Sequence, residues 1–195
     1  IGFSHGGWHT RRVELGADGE TFRFAPGPAC AAPRVLPASR GPQEGDVLEV
    51  REGHRALADA LAARAALAPL GAIFIDYGHA ATGFGDTLQG VQSQSHVSPF
   101  HAPGETDLSA QVDFESFARA CAEAGLAVDG PVPQAEFLGR LGIVERASRL
   151  MAQNPDKAGT VEAGVQRLMS PVGMGSRFLA TGMRSPGLPP LPGFQ

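Results

Sequence analysis

Residues 71–78 have the sequence Gly-Ala-Ile-Phe-Ile-Asp-Tyr-Gly, and this stretch decides the fold class of the 195-residue chain. Gly71 to Asp76 is short, almost wholly apolar and partly β-branched, which is typical of a strand buried on both faces of a parallel sheet. The preceding segment, His54 to Leu67, carries apolar residues at helical spacing, and Pro69 ends it. Because a helix followed by a buried strand forms the second half of a β-α-β unit, the stretch predicts an α/β fold.

A β-hairpin is predicted upstream of this unit. Trp8 to Leu15 and Thr21 to Ala25 carry strand-forming residues, and a Gly-Ala-Asp-Gly turn at 16–19 separates them. The segment Pro26 to Gly45 is rich in proline, alanine and glycine without a period, so we expect a loop that forms a weak boundary at residue 45.

Downstream, the pattern alternates again between helices and strands. Asp113 is predicted to cap a helix over Phe114 to Ala124, which Gly125 ends. The further elements expected are a short strand within 86–94, strands at 126–128 and 177–183, and helices at 134–141, 143–153 and 160–169. The last strand is expected to be antiparallel, because a long connection precedes it.

Composition excludes several classes of partner. The formal net charge of −4 provides no positive field for nucleic acid. No apolar stretch reaches the length of about 20 residues that spans a bilayer, and no secretion signal is recognisable. These properties predict a cytoplasmic protein with neither a nucleic-acid partner nor a membrane span.

The sharpest candidate site is Asp76-Tyr77-Gly78, because α/β sheets bind ligands just beyond the carboxyl ends of their strands. The alternative is that Asp76 only braces the following loop. A second, loop-borne group comprises Asp86, Glu105, Asp107 and Asp113, with His79, His96 and His101 nearby in sequence. The spacing within that group matches no known set of metal ligands, so we expect no metal. If they converge, the carboxylates are better suited to a guanidinium group.

Two glycine-rich segments resemble cofactor loops without the required context. Glu14 to Gly19 resembles the acidic turn that holds the nucleoside of S-adenosylmethionine, but it follows polar residues and precedes an extended run. Gly78 to Gly85 follows a strand but leads into no helix. Since a dinucleotide-type loop must open a helix, both segments are interpreted as turns and no cofactor-binding residue is assigned.

Five further motifs identify a family resemblance. GAIFIDYG at 71–78, GDTLQGV at 85–91, PGETDLSAQVDF at 103–114, QAEFLGRLGI at 134–143 and a late MG-x-x-F at 174–178 resemble, in that order, the MidA-like class I S-adenosylmethionine-dependent methyltransferases. The opening GWHTRRV at 7–13 is similar to the GW-x-x-R-x-V segment of that family, with Thr10 where an acid is usual. The agreement covers most of the chain from Gly7 to Phe178.

The resemblance implies a Rossmann-like sheet in which residues 71–76, 126–130 and 177–183 form the fifth, sixth and seventh strands, the seventh inserted antiparallel. It also implies methyl transfer from S-adenosylmethionine and, for mitochondrial members, methylation of an arginine in a subunit of respiratory complex I. The cofactor loop and the ribose-binding acid of the family lie upstream of the matched segments. We therefore expect one partial domain: the hairpin and loop at 1–45, then the C-terminal half of a methyltransferase domain at 46–195.

The functional hypothesis is a protein-arginine methyltransferase whose catalytic residues here are Asp76, Tyr77 and Asp113. The alternative is a partner-binding module or assembly-factor fragment without catalysis, and metal-dependent hydrolysis has no positive support. Without the earlier strands, Gly71 to Asp76 would leave backbone groups unpaired at a sheet edge, so we expect poor stability or self-association of the chain, including a homo-oligomer.

Overall fold

The computed structural model describes every residue, Ile1–Gln195. Ten strands are present: β1 Gly2–Ser4, β2 Gly7–Leu15, β3 Phe22–Ala29, β4 Gly71–His79, β5 Gln89–Gln92, β6 Ser95–Val97, β7 Asp107–Ser109, β8 Val112–Asp113, β9 Ala127–Pro133 and β10 Phe178–Arg184. Five α-helices accompany them: α1 Glu52–Ala65, α2 Phe114–Glu123, α3 Gln134–Arg140, α4 Ile143–Gln153 and α5 Ala158–Met169. No helix is both long and apolar enough to cross a membrane.

The chain divides into two compact units, each built from two stretches of sequence. Unit 1 comprises Ile1–Val50 and Thr82–Gln111, and unit 2 comprises Arg51–Ala81 and Val112–Gln195. The loop after β4 therefore belongs with the hairpin and not with the strand that it follows. The prediction of a single partial domain divided at residue 45 stays a prediction, while the observed division lies at residues 50, 81 and 111.

Unit 1 contains the predicted hairpin and a second small sheet. Strands β1, β2 and β3 form an antiparallel sheet in that order, and β6, β5 and β7 form another. Trp8 is buried where its ring packs edge-on against Phe3 and stacks on Phe84. The hairpin prediction is confirmed, with β3 extending to Ala29 through two prolines.

Unit 2 is built on a four-stranded sheet with the order β8-β4-β10-β9. Strand β10 pairs antiparallel with β4 along Gly71–Tyr77 on one side and with β9 on the other. It comes last in the chain yet occupies an inner position, and its residues Leu179–Met183 are buried. This confirms the expected insertion of an antiparallel final strand between its two neighbours.

The prediction that β4 is buried on both faces is wrong. Ile73 and Ile75 are 47% and 44% exposed, whereas Phe74 between them points towards the core. On its second edge β4 pairs only with the short β8, through Gly78 and His79. The apolar pattern predicts the strand correctly, but only one face of β4 is covered by unit 2.

The core of unit 2 lies between the sheet and helices α1 and α2. Its buried members are Ala58, Phe117, Cys121, Leu126 and Met183. Phe74 of β4 meets Phe117 edge-on, with 5.0 Å between the ring centroids. The strongly amphipathic α2 therefore packs the inner face of β4 and β10 through one stripe of residues.

The opposite face of β10 is covered by the C-terminal segment. Leu191 and Phe194 lie so close to Gly182 that a Cβ atom there would come within 2.9 Å of a Leu191 carbon. The ring of Phe194 packs on Phe137 of α3 at 4.9 Å. Glycine at position 182 thus permits the closing segment to lie directly on the strand.

A buried ion pair holds this closing segment. Both carboxylate oxygens of Asp129 accept hydrogen bonds from Arg184 Nε, at 3.2 and 3.0 Å. The same carboxylate accepts the Leu191 amide at 2.9 Å, and the Arg184 guanidinium also donates to the Leu188 carbonyl. The exposed fraction of the Asp129 side chain is only 7%, so its charge depends on these partners.

Replacing Arg184 with methionine should lower the free energy of unfolding by about 3 kcal/mol, because it leaves the buried Asp129 carboxylate with one hydrogen-bond donor instead of a cation. Urea denaturation measures this change. Arg177→Met, at an exposed arginine just before the same strand, is the matched control and should change the free energy by less than about 0.5 kcal/mol. Equal effects of the two substitutions would contradict the role assigned to Arg184.

Candidate functional site

The candidate site lies at the carboxyl end of β4 in unit 2. Asp76, Tyr77, Gly78 and His79 occupy the last four positions of the strand. The parallel strand β8 runs beside the last two, with His79 opposite Asp113. The approach is so close that a Cβ atom on Gly78 would lie 2.2 Å from the Val112 carbonyl oxygen, so glycine is required there.

Asp76 presents an exposed carboxylate at this end of the sheet. Its Oδ1 atom accepts the backbone amide of Tyr77 at 2.8 Å. The ring of Tyr77 packs edge-on against Phe178 of β10, with 5.7 Å between centroids. Asp76 therefore combines a local brace with an accessible acid, and a functional role for it stays a prediction.

Asp113 has a structural role that the sequence predicted. Its Oδ1 atom accepts the Ser116 amide at 2.9 Å, which caps the N-terminus of α2. The residue is only 5% exposed. The cap prediction is confirmed, and the pairing of β8 with β4 brings Asp113 to the same sheet end as Asp76 and Tyr77. A catalytic role for these three residues stays a prediction.

Two histidines at this end of the sheet were not assigned to the site from sequence. His54 of α1 lies with its Nδ1 atom 2.7 Å from Ser116 Oγ, so it joins the cap of α2. Burial of the His54 ring lowers its pKa from the ordinary value of 6.5, while the charge of Asp113 acts in the opposite direction. His54 is therefore neutral at physiological pH.

His79 is the second of these histidines. Its Nδ1 atom is buried and has no hydrogen-bond partner in the structure. A buried ring nitrogen without a partner has unused capacity for a hydrogen bond to water or to another group. In the sequence His79 is grouped only with the loop-borne carboxylates, and its position three residues after Asp76 is the signal that could have placed it at this site.

A pocket of about 190 Å³ opens beside the same strand. Its lining includes His54 and Leu57 of α1, Phe74 and Asp76 of β4, and Phe114 and Phe117 of α2. Three phenylalanine rings contribute to its wall, and the carboxylate of Asp76 and the imidazole of His54 are its two titratable groups. This volume is below the range of roughly 300–1,000 Å³ that accommodates a cofactor-sized ligand.

One of the loop-borne carboxylates of unit 1, that of Asp86, is already paired. Asp86 forms an ion pair with Arg11 at 2.8 Å, and the Arg11 guanidinium also stacks on the ring of Phe24. His101 bonds to the Gln92 side chain at 3.0 Å. No group of three or more His, Cys, Asp or Glu side chains is arranged to hold a metal ion.

Neither glycine-rich segment fits an adenosyl cofactor. In the turn at 16–21, the Gly16 amide donates to the Thr21 carbonyl at 2.6 Å. Asp18 accepts the amides of Glu20 and Thr21, and the side-chain bond from Thr21 lowers the pKa of Asp18 to about 2. The backbone amides of Gly16, Glu20 and Thr21 are therefore bonded within the turn. The segment after β4 leads to β5 instead of a helix, so neither segment offers a helix N-terminus to a ligand.

Sequence comparison connects the chain to a methyltransferase family. Residues 1–132 match the family described as "Putative S-adenosyl-L-methionine-dependent methyltransferase". The protein arginine methyltransferase NDUFAF7 of mouse mitochondria is 35% identical over 179 residues, which is 88% of this chain and 39% of that protein. The human NDUFAF7 protein is 34% identical over 75% of this chain and 34% of its own length.

Structure comparison gives the same family. A crystal structure of a superfamily member from Burkholderia thailandensis bound to S-adenosyl-homocysteine has a TM-score of 0.81 and 27% identity. The match covers 98% of this chain and 51% of that one. A second Burkholderia thailandensis structure, with 26% identity and a TM-score of 0.77, is covered to 52%. The chain thus spans about half the length of these solved relatives and about two fifths of the mouse protein.

Substitution of Asp113 separates its structural role from any chemical one. Asp113→Ala should lower the free energy of unfolding by about 1 kcal/mol, because α2 loses its cap, whereas Asp113→Asn should retain most of the stability. Asp76→Asn, at an exposed carboxylate, should change stability by less than about 0.5 kcal/mol. Thermal or urea unfolding of the three variants measures these differences, and an Asp113→Ala variant as stable as the parent would rule out the cap.

The lowered pKa of His54 predicts a pH dependence of stability. Below pH 6.5 the unfolded chain protonates His54 more readily than the folded chain does, so the free energy of unfolding falls as the pH falls. His54→Gln should make this decline shallower below pH 6.5. His5→Gln, at an exposed histidine of unit 1, is the control, and urea titrations at several pH values give the slopes. Indistinguishable slopes for the parent and His54→Gln would contradict this assignment.

Proposed function

The chain belongs to the MidA- and NDUFAF7-like family of S-adenosylmethionine-dependent methyltransferases, and we propose that it is part of a protein arginine methyltransferase. In this proposal it forms the acceptor side, which is the part that binds the arginine receiving the methyl group. The observation that carries this proposal is the exposed carboxylate of Asp76 at the carboxyl end of β4. Ligands of α/β sheets bind at that end of the strands. A carboxylate is also the group that recognises a guanidinium most strongly.

The fold supports the proposal through its strand order. In our proposal β4, β10 and β9 are the later strands of a larger Rossmann-like sheet, with β10 the inserted antiparallel one. The hairpin of unit 1 and helices α3 to α5 are additions to that sheet. The 0.81 TM-score over 98% of this chain is consistent with such a part of a longer fold.

Methylation of an arginine places two requirements on the residues that bind it. An arginine side chain is protonated at neutral pH, so a carboxylate must orient its nitrogen and receive the proton that methylation releases. We assign both roles to Asp76, whose carboxylate orients the nitrogen and accepts the released proton, with Tyr77 shaping the entrance beside it. Asp113 contributes negative charge at the same sheet end while it caps α2. S-adenosylmethionine supplies the methyl group, and we assign its binding to parts of the family fold outside these 195 residues.

The substrate is proposed by analogy with the relatives. The mouse and human relatives are named protein arginine methyltransferases and mitochondrial. From the family resemblance we propose a protein acceptor, with a subunit of respiratory complex I as the first to test. A cytoplasmic location stays a prediction from the sequence.

A non-catalytic role is the second candidate function. Neither glycine-rich segment fits the cofactor, and in this second candidate function the chain binds a client protein without methylating it. The two candidate functions predict different results when the segments that bind the methyl donor are added. Methyl transfer should appear if the chain is catalytic and should stay absent if it is not.

Transfer of a radiolabelled methyl group distinguishes the two functions. The chain alone should transfer no label to an arginine-containing acceptor. Fused behind the half of the Burkholderia thailandensis relative that it does not match, it should gain transfer activity, because the cofactor site and the acceptor side are then joined. An active chain alone would refute the assignment of cofactor binding to other segments, and an inactive, folded fusion that binds S-adenosylmethionine would favour the non-catalytic role.

In the active fusion, Asp76→Asn should lower kcat by about 100-fold or more, which is the usual contribution of a positioned acid or base. Asp59→Asn, at an exposed aspartate that pairs with Arg55 on α1, is the matched control and should leave kcat unchanged. Steady-state kinetics with the labelled donor measure both. An Asp76→Asn variant with unaltered kcat would remove Asp76 from the catalytic residues.

A further inference from the structure

Arg177 immediately precedes β10, at the end of the sheet where Asp76 lies. Its carbonyl oxygen accepts the Gly78 amide at 3.3 Å, so the pairing of β10 with β4 continues through Arg177. Its side chain is exposed and forms no ion pair or hydrogen bond with another residue. The guanidinium is therefore a free cation beside the candidate site, and the proposed function gives it no role.

Arg177 and Asp76 share one face of the sheet. Asp76 pairs with Leu179 across the ladder, and the side chains of directly paired residues project to the same face. Arg177 lies two positions from Leu179, so the period of two places it on that face as well. Phe178 and Tyr77 form the next pair and meet on the opposite face, with 5.7 Å between their ring centroids. The sheet end thus presents one exposed acid and one exposed cation to the same side.

The two charged groups do not neutralise each other. They are diagonal neighbours across two strands, a relation in which Cα atoms are roughly 7–8 Å apart. No ion pair joins them, and the carboxylate of Asp76 bonds only to the Tyr77 amide. A ligand that carries a cation and an anion at this separation is complementary to both groups.

The loop that carries Arg177 has an ordered backbone. Between α5 and β10, the amides of Gly173 and Gly175 both donate to the Ser170 carbonyl, each at 3.0 Å. A Cβ atom on Gly175 would lie 2.2 Å from the Met169 carbonyl oxygen, so the loop packs too closely for a side chain there. Because the backbone is already held, binding of a ligand to Arg177 requires little further ordering of the loop.

We propose that Arg177 is a specificity-determining residue that binds an acidic side chain of the acceptor, two positions from the arginine that Asp76 binds. The inference rests on the proposed function in taking Asp76 as the carboxylate that binds the acceptor arginine. In an extended peptide, side chains two positions apart project to the same side and their Cα atoms are roughly 6.5 Å apart. That spacing is close to the separation of the two protein groups.

The proposal defines a class of acceptor. An isolated arginine with a glutamate or aspartate two positions away is favoured, because each of its charges meets an opposite charge at the sheet end. Segments with several arginines in succession are disfavoured, because Arg177 repels the second cation.

Binding of short peptides to the 195-residue chain measures this preference without methyl transfer. Two fluorescent peptides of equal composition each contain one central arginine flanked by two glutamates. The glutamates lie two positions from the arginine in the first peptide and one position from it in the second, where they project to the opposite side. Fluorescence anisotropy should show roughly fivefold tighter binding of the first peptide, as for a favourable exposed ion pair. The preference should shrink at high salt, because exposed charges are screened.

Substitution of Arg177 tests whether it is the source of the preference. Arg177→Gln should bind the two peptides equally, and Arg177→Glu should favour a version of the first peptide with lysines in place of the glutamates. Arg64→Glu is the matched control, at an exposed arginine in the last turn of α1, shortly before the amino end of β4 and so at the opposite end of the sheet. It makes the same change of charge and should keep the roughly fivefold preference. Circular dichroism of each variant confirms that it is folded.

The outcomes separate this inference from the proposed function. A preference for the first peptide that Arg177→Gln removes and Arg64→Glu keeps supports the role of Arg177. Equal binding of the two peptides by the parent chain, no detectable binding of either, or a preference that survives Arg177→Gln overturns it. Methyl transfer by the fusion with the Burkholderia thailandensis half, without such a preference, would leave the proposed function intact and refute only the role of Arg177. A preference that depends on Arg177, with no transfer by a folded fusion that binds S-adenosylmethionine, would refute catalysis and leave the role of Arg177 in binding intact.

Discussion

Unit 2 depends on the antiparallel pairing of β10 with both β4 and β9. Strand β10 forms a seven-residue ladder with β4 and another ladder with β9, and its central residues are buried on both faces. Helices α1 and α2 cover one face, and the segment held by Asp129 and Arg184 covers the other. Without β10, the strand that carries Asp76 would have no ladder along Gly71–Asp76. The position of the candidate site therefore follows from the final strand of the chain.

The local elements were predictable because each depends on neighbouring residues. The spacing of apolar residues gave α2, and Asp113 gave its cap, since both effects act within one or two helical turns. Burial on the second face of β4 was not predictable, because the same apolar sequence fits a strand covered on one face or on both. The apolar sequence shows that Ile73 and Ile75 are suited to a buried environment, yet in unit 2 both side chains stay nearly half exposed.

The site was predictable in part for a similar reason. Asp76 follows from the rule that ligands bind at the carboxyl ends of strands, which needs only the strand and its direction. The positions of His54 and His79 depend on contacts over longer sequence distances: His54 reaches Ser116 across 62 residues, and His79 meets Asp113 only through the pairing with β8. Asp86, one of the loop carboxylates, is paired with Arg11, on a strand 75 residues away in sequence. Patterns among neighbouring residues do not reveal contacts between residues that are so far apart in sequence.

The central claim is that the family activity is divided, with the acceptor side in this chain and the donor-binding side outside it. The most direct test is an isothermal titration of the purified 195-residue protein with S-adenosyl-homocysteine, the ligand bound in the Burkholderia thailandensis relative. The account predicts no saturable heat of binding. Saturable binding of one ligand per chain with a dissociation constant in the micromolar range or below would contradict it.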